Sequence, residues 1–146
     1  MSEFQHDASE QGRLFDELAR MVCRQAGFAV GERPFEVPEL GIEVDAELTA
    51  KNGTVLWAEF KGSWRGRRPG LRRTDTVKKA LCDALLVWAD DEGYPPFIVL
   101  TSHHPEPGGR SARMVAAALG LGAVTAVLNV NDPNDVMRLR QIAETS

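Results

Sequence analysis

Along the first part of the chain, apolar side chains recur at three- and four-residue intervals. Leu14, Leu18, Met21 or Val22, then Gln25 or Ala26 follow one another at a spacing that predicts a helix from about residue 9 to 26. Gly27 ends it and Phe28 opens a connection. Phe35-Glu36-Val37, just before Pro38, is a brief strand-like run. The period then changes to two. Ile42, Val44, Ala46 and Leu48 alternate with Glu43, Asp45 and Glu47, and residues 54 to 61 are again strand-like, rich in Val, Trp and Phe.

The turn between these two strands decides which side chains meet. A two-residue Asn52-Gly53 turn would pair residues whose numbers sum to about 105, putting Asp45 opposite Phe60 and on the other face from Glu59. A three-residue loop of Lys51, Asn52 and Gly53, with Gly53 left-handed in a bulge, gives a sum of about 104 and sets Asp45 opposite Glu59. The second turn is expected. In that register Glu43 falls across from Lys61, where a solvated ion pair is the plain alternative to chemistry.

Residues 62 to 70 form a polar loop punctuated by Gly and Pro. A helix follows from about 74 to 90, capped by Thr74 or Asp75, with Val77, Leu81, Ala84 or Leu85, and Trp88 on its apolar side. Residues 97 to 101 read as a short buried strand, 110 to 120 as a helix and 123 to 130 as another strand. A last helix starts at Asp132 or Pro133. Helices interleaved with strands predict a layered α/β fold in one domain spanning 1–146, with no linker or repeat to divide it.

Composition changes this picture little. Hydrophobic residues at 43% and charged residues at 26% suit a folded, water-facing protein. No apolar stretch reaches membrane-spanning length, and the acidic, polar start lacks the basic and apolar segments of a secretory leader, so a cytoplasmic location without a membrane partner is expected. Cys23 and Cys82 sit among apolar neighbours in predicted helices and read as buried thiols. Charge changes the picture more. The chain carries a net charge of −4, yet between Lys61 and Lys79 eight basic residues are opposed only by Asp75. A locally basic surface on an acidic body can grip a polyanion in one place.

The candidate chemistry adjoins that surface. Glu59 and Lys61, two apart on a strand, share a face, while Phe60 points to the opposite layer. With Asp45 across the ladder, two carboxylates converge beside an ammonium, an oxygen-rich arrangement that suits a hard divalent cation such as magnesium. Lys61 can then orient a water or stabilise charge developing on a phosphate. Three histidines and two cysteines without metal-ligand spacing argue against a dedicated zinc site.

Asp45 with Glu59-Phe60-Lys61 resembles the signature of the PD-(D/E)XK nuclease superfamily, with Val44-Asp45 standing where that family often has Pro-Asp. The resemblance covers roughly residues 10 to 102. It implies a restriction endonuclease-like fold, a helix-three strands-helix-strand core, here with an additional C-terminal helix-strand-helix. It also implies Mg2+, with Mn2+ as a substitute, held by Asp45 and Glu59 together with a first-helix glutamate. Glu17 matches that glutamate best and Glu10 next, although Glu17, between Phe15 and Leu18, also reads as a residue flanking the core. Lys61 would assist water attack on a DNA phosphodiester, and Glu47, on the face of Asp45, is a substitute ligand or a solvated side chain.

Arg65, Arg67, Arg68, Arg72, Arg73, Lys78 and Lys79 would position DNA by contacts to its phosphates, and Trp64 would stack on a base or pack on the sheet. Ser102-His103-His104 lacks the spacing of a nucleophile elbow. Gly108-Gly109-Arg110-Ser111 is either a helix start near DNA or a turn and cap. The leading expectation is an Mg2+-dependent deoxyribonuclease, an endonuclease, in which a homodimer would let two centres address two strands. The alternatives are a non-catalytic DNA-binding module of the same fold, or a regulatory subunit with a vestigial site.

Overall fold

A computed structural model describes residues 3–63 and 70–145. The chain is mixed α/β, with a five-stranded sheet, a two-stranded sheet and four helices among the described residues. The elements are α1 (Glu3–Ala26), β1 (Ala29–Val30), β2 (Phe35–Val37), β3 (Ile42–Val44), β4 (Ala46–Thr49), β5 (Val55–Lys61), a 3-10 turn over Gly70–Arg72, α2 (Thr74–Ala89), β6 (Phe97–Thr101), α3 (Arg110–Leu121), β7 (Ala126–Asn129) and α4 (Pro133–Thr145). The main sheet runs β1-β4-β5-β6-β7. Its β4–β5 pair is antiparallel, and β5, β6 and β7 are parallel neighbours.

The hairpin register is the expected one. Ala46 pairs with Ala58 and Thr49 with Val55. Ala50 N–H donates to the Thr54 carbonyl (2.8 Å) across the loop of residues 51 to 53, and Gly53 has φ +90°. The ladder stops one pair earlier than expected, however. The chain bends at Asp45, and residues 42–44 leave the main sheet to pair with β2, so that Glu43 lies opposite Glu36 rather than Lys61. The predicted strand of residues 42 to 49 is thus two strands. Its first three residues bury Ile42 and Val44 in a different layer from Ala46 and Leu48. The edge position beside β4 is taken by β1, a two-residue strand that periodicity could not register.

The alternation along β5 sorts the core into two layers. Leu56, Ala58 and Phe60 face α1 and α4, with Phe15, Ala19, Cys23 and Leu139. Trp57 faces α2 and α3, with Val77, Ala84, Val99 and Val115. Because β5 and β6 are covered on both sides, a charged side chain within them, as at Glu59, is taken out of water, while Lys61 at the strand end stays partly exposed. The buried stripe of α1 is Phe15, Ala19, Val22 and Ala26; its second half takes Val22 and Ala26 of the expected alternatives, and its first half lies one position on from Leu14 and Leu18. On α2 the cap residue is Arg73, without a side-chain cap, and Thr74 is already helical. Cys23 is buried as expected but Cys82 is exposed, since residue 82 lies off the stripe of Val77, Ala80, Ala84 and Val87. No helix among the described residues is long and apolar enough to cross a membrane.

Gly70 secures the end of the sheet. It has φ +59°, and a Cβ there would lie 2.4 Å from Thr101 Oγ1 and 3.0 Å from the backbone N and O of His103. Thr101 cannot easily retreat, because its hydroxyl donates to the Lys61 carbonyl at 2.7 Å and accepts from His103 N at 3.2 Å. Gly70→Ala is therefore expected to cost about 2 to 4 kcal/mol from strain and overpacking together. Gly120→Ala, inside α3 with open space around it, should be neutral or stabilising by up to about 1 kcal/mol. Urea unfolding of the two variants checks both values.

Candidate active site

The carboxyl ends of β5 and β6 carry the candidate site. Glu59 is 2% exposed, and Lys61 Nζ stands 3.1 Å from Glu59 Oε2 on the same strand face. Asp83, from α2, comes within hydrogen-bonding reach of Glu59. Two carboxyl groups in such contact share a proton or repel one another. Asp45 lies close enough to act on both Glu59 and Lys61. Asp16 approaches from α1, where it feels Asp45, Arg20 and Lys61.

Asp45 reaches this place by ending the ladder. Ala46↔Ala58 is the last β4–β5 pair, so the N–H of Phe60 has no β4 carbonyl to meet. Asp45 Oδ2 accepts it at 2.7 Å. A buried backbone donor must find some partner, and the bend supplies a carboxylate instead of a carbonyl. Arg20 holds the bend from the helix side. Its guanidinium donates to the Asp45 carbonyl at 2.6 Å and to the Gly31 carbonyl, and lies 5.4 Å over the Phe60 ring.

Burial sets the electrostatics. It pushes the Glu59 carboxyl up to about 8; Lys61 opposes the shift, and Asp45 and Asp83 add to it. Burial likewise raises Asp16 to about 6, with Asp45 adding and Arg20 and Lys61 opposing. Asp83 is raised by burial too, against its hydrogen bond with Glu59. For Lys61, burial disfavours the charge, but Glu59 and Asp45 outweigh it and hold the ammonium above its ordinary value. Among the described residues, four carboxyl groups thus surround one lysine, more negative charge than Lys61 and Arg20 can balance. The site favours protons or an added cation.

Of the residues singled out from the sequence, Asp45, Glu59 and Lys61 come together, though Asp45 flanks Glu59 from the bend instead of facing it across a ladder. Glu17 does not join them. Its side chain is 63% exposed and is held by Arg13 at 2.7 Å, with Glu10 on the other side of the same guanidinium at 3.5 Å. Glu47 is exposed and accepts from the Trp57 indole at 3.4 Å. Arg72 is paired with Glu106 at 3.1 Å, and Arg73, Lys78 and Lys79 are exposed around the start of α2. Trp64, Arg65, Arg67 and Arg68 lie outside the described residues.

Ser102 is buried and structural. Its hydroxyl oxygen accepts from Ser63 N at 3.0 Å and meets His103 Nδ1 at 2.9 Å, tying the exit of β5 to the end of β6. Gly109 caps α3, and Ser111 Oγ donates to Thr74 Oγ1 at 3.4 Å, so the N-termini of α2 and α3 lie side by side.

Asp16 and Asp83 were missed, and both had a signal. Asp83 falls on the buried stripe of α2, three residues after Ala80 and four before Val87, and Asp16 falls three before Ala19 and seven before Cys23. An acid on an apolar stripe is the residue to question first. Among the described residues, no three His, Cys, Asp or Glu side chains are arranged to close on a metal ion.

These shifts fix a pH dependence. A carboxyl whose folded pKa lies above its unfolded value binds its proton more tightly when folded, so stability is greatest below the unfolded value and declines until pH passes the folded one. For Glu59 that window runs from 4.5 to about 8, and for Asp16 from 3.8 to about 6. The urea midpoint should therefore fall between pH 5 and 8, and Glu59→Gln should flatten the fall; an equally steep decline in the variant would show that Glu59 does not carry it. No family model, curated protein or solved structure matches this chain.

Proposed function

We propose that the chain is a divalent-metal-dependent deoxyribonuclease of the PD-(D/E)XK type, with Asp45, Glu59 and Lys61 at its centre. The observation that carries this reading is the Lys61 ammonium 3.1 Å from a carboxylate withdrawn from water, with three more carboxyl groups around them. The group stands at the carboxyl ends of parallel strands, the end of an open α/β sheet where ligands are usually met. Two helix N-termini and the exposed Arg73, Lys78 and Lys79 adjoin it, and both kinds of group favour phosphate. The element order supports the reading as well. Within the main sheet, α1, β1, β4, β5, α2 and β6 follow as helix, three strands, helix, strand, with β2 and β3 as an excursion between β1 and β4.

The donor set fits magnesium in kind, being carboxylate oxygen throughout. Asp45 and Glu59 would hold the ion, and Asp16, which approaches them from the first helix, would stand in for Glu17 once the three drew together on the cation. Lys61 covers one Glu59 oxygen and Phe60 N–H one Asp45 oxygen, which leaves the second Asp45 oxygen, while Glu59 would exchange its contact with Asp83 for the ion. The bound ion would neutralise the carboxylates toward a polyanion and polarise the phosphate. The side chains account for the rest. In the reaction, water adds to phosphorus and the bond to one deoxyribose oxygen breaks, while a neighbouring carboxylate accepts the proton that the attacking water sheds and a second water gives one to the departing oxygen. The Lys61 ammonium faces the charge that builds on the phosphate oxygens. Arg72, Arg73, Lys78 and Lys79, with Arg65, Arg67 and Arg68 shortly before them in the sequence, would hold the backbone of the DNA.

Cleavage of plasmid, linear and branched DNA with Mg2+, Mn2+ or chelator tests the assignment. Lys61→Ala and Glu59→Ala should each lose at least about 100-fold in rate. Asp45→Asn is the cleaner variant, because its amide oxygen still accepts from Phe60 N while the charge is gone, so cleavage should fall by a similar factor with folding retained. Neutralising Lys78 or Lys79 should weaken DNA binding and lower the salt slope by about one for each phosphate no longer neutralised. Cleavage unchanged in both Lys61→Ala and Asp45→Asn would sink the proposal. Binding that survives chelation with no cleavage would instead identify a DNA-binding module.

A further inference from the structure

At the far end of the sheet from the carboxylates lies a cavity of about 320 Å³ bounded by Trp88, Asp90, Tyr94, Pro95, Pro96 and Phe97. We infer that it is a binding site for an organic cation, a guanidinium or ammonium group carried on an apolar stem.

Four features point the same way. The first is aromatic. Phe97 is buried in the wall, Trp88 is half exposed at the mouth (50%), and Tyr94 stacks on Trp57 at 5.1 Å between centroids. Aromatic faces attract cations through the negative charge of the π-system. The second is the charge of the lining, in which, among the described residues, Asp90 is the one ionisable group besides the Tyr94 phenol. Its Oδ1 accepts from Glu92 N at 2.9 Å, which fixes the carboxylate and leaves the second oxygen for a ligand.

The third is the direction of the helices. The C-cap residues of α2 and α3, Asp90 and Gly122, both line the cavity, and neither helix has a basic residue in its last turn. Two helix C-termini therefore present partial negative charge at one place without the usual side-chain cation. The fourth is the hydrogen-bond inventory. Pro95 and Pro96 have no N–H; the Pro96 carbonyl accepts from Trp57 N at 2.9 Å, which leaves the Pro95 carbonyl and the Tyr94 hydroxyl oxygen, whose proton goes to Glu39, as acceptors. The rim is thus rich in acceptors, which a guanidinium with five donors or an ammonium with three can use. The volume suits such a head with part of its stem. Nothing in this reading depends on the nuclease assignment.

Binding of N-acetyl-arginine methylamide to the full chain, followed by the indole resonance of Trp88, tests the site. The isosteric but uncharged citrulline derivative is the control. The arginine compound should bind at least about 5-fold more tightly than the citrulline one. Trp88→Ala and Asp90→Asn should each weaken it by a similar factor, with Gln141→Ala, exposed on α4 across the sheet, unchanged. Repeating the titration with a short peptide containing one arginine distinguishes the sources: tighter binding than the free derivative marks a protein partner, equal binding a small organic cation. Equal affinity for the arginine and citrulline compounds, no binding of either, or indifference to both variants would overturn the inference.

Discussion

A carboxylate withdrawn from water must be answered by a cation, a proton or a metal, because an isolated charge in a protein interior is too costly to persist. Glu59 imposes that requirement on this fold. It sits on a central strand covered on both faces, and everything around it is an answer of one kind or another. Lys61 supplies charge from the same strand face, and Asp83 reaches Glu59 from α2 within hydrogen-bonding distance. Asp45 and Asp16 make the demand larger, so the cluster holds more acids than Lys61 and Arg20 can neutralise and Glu59 keeps its proton until pH approaches about 8. A cluster kept only for stability would be better replaced by apolar side chains of similar size. That imbalance, more than the presence of acids, distinguishes the site from a decorated hairpin.

The same parallel strands explain why the two ends of the molecule differ. Helices that cross between parallel neighbours run back against the strands, so α2 and α3 begin where β5 and β6 end and finish where β6 and β7 begin. Helix N-termini therefore gather beside Lys61 and Ser102, and helix C-termini gather around Phe97 and Thr125. One end favours anions and the other cations. The basic residues near the start of α2 reinforce the first preference, and Asp90 with the aromatic side chains reinforces the second.

Asp45 carries two loads at once. It terminates the β4–β5 ladder by accepting from Phe60 N–H, and it brings a carboxylate to Glu59 and Lys61. The bend also frees residues 42–44 to cover the α2 side of the sheet with Val44 and Ile42. Arg20 pins the bend to α1, so the first helix, the bend and β5 are held as one piece.

The strand pair, its loop and its register were legible in the sequence, because a three-residue loop with glycine in the left-handed position leaves one pairing and alternation fixes which residues share a face. So were the four helices, although α1 starts at Glu3 and not near residue 9, and the Glu59-Phe60-Lys61 presentation. Tertiary structure decided the rest. Which acid of α1 turns inward depends on the buried stripe running through Phe15 and Ala19 instead of Leu14 and Leu18, and through Val22 of the pair Met21 or Val22, a choice that local periodicity leaves open and packing against Phe60 and Gly62 settles. Asp83 joins Glu59 only because α2 lies across β5, a contact between residues far apart in sequence. The break at Asp45 has the same origin: alternation runs on through residues 42 to 49, and only the competition between two sheets for Val44 and Ala46 ends the strand there. Pattern along a chain fixes what neighbours in sequence must do; long-range packing fixes which of the remaining choices has the lower free energy.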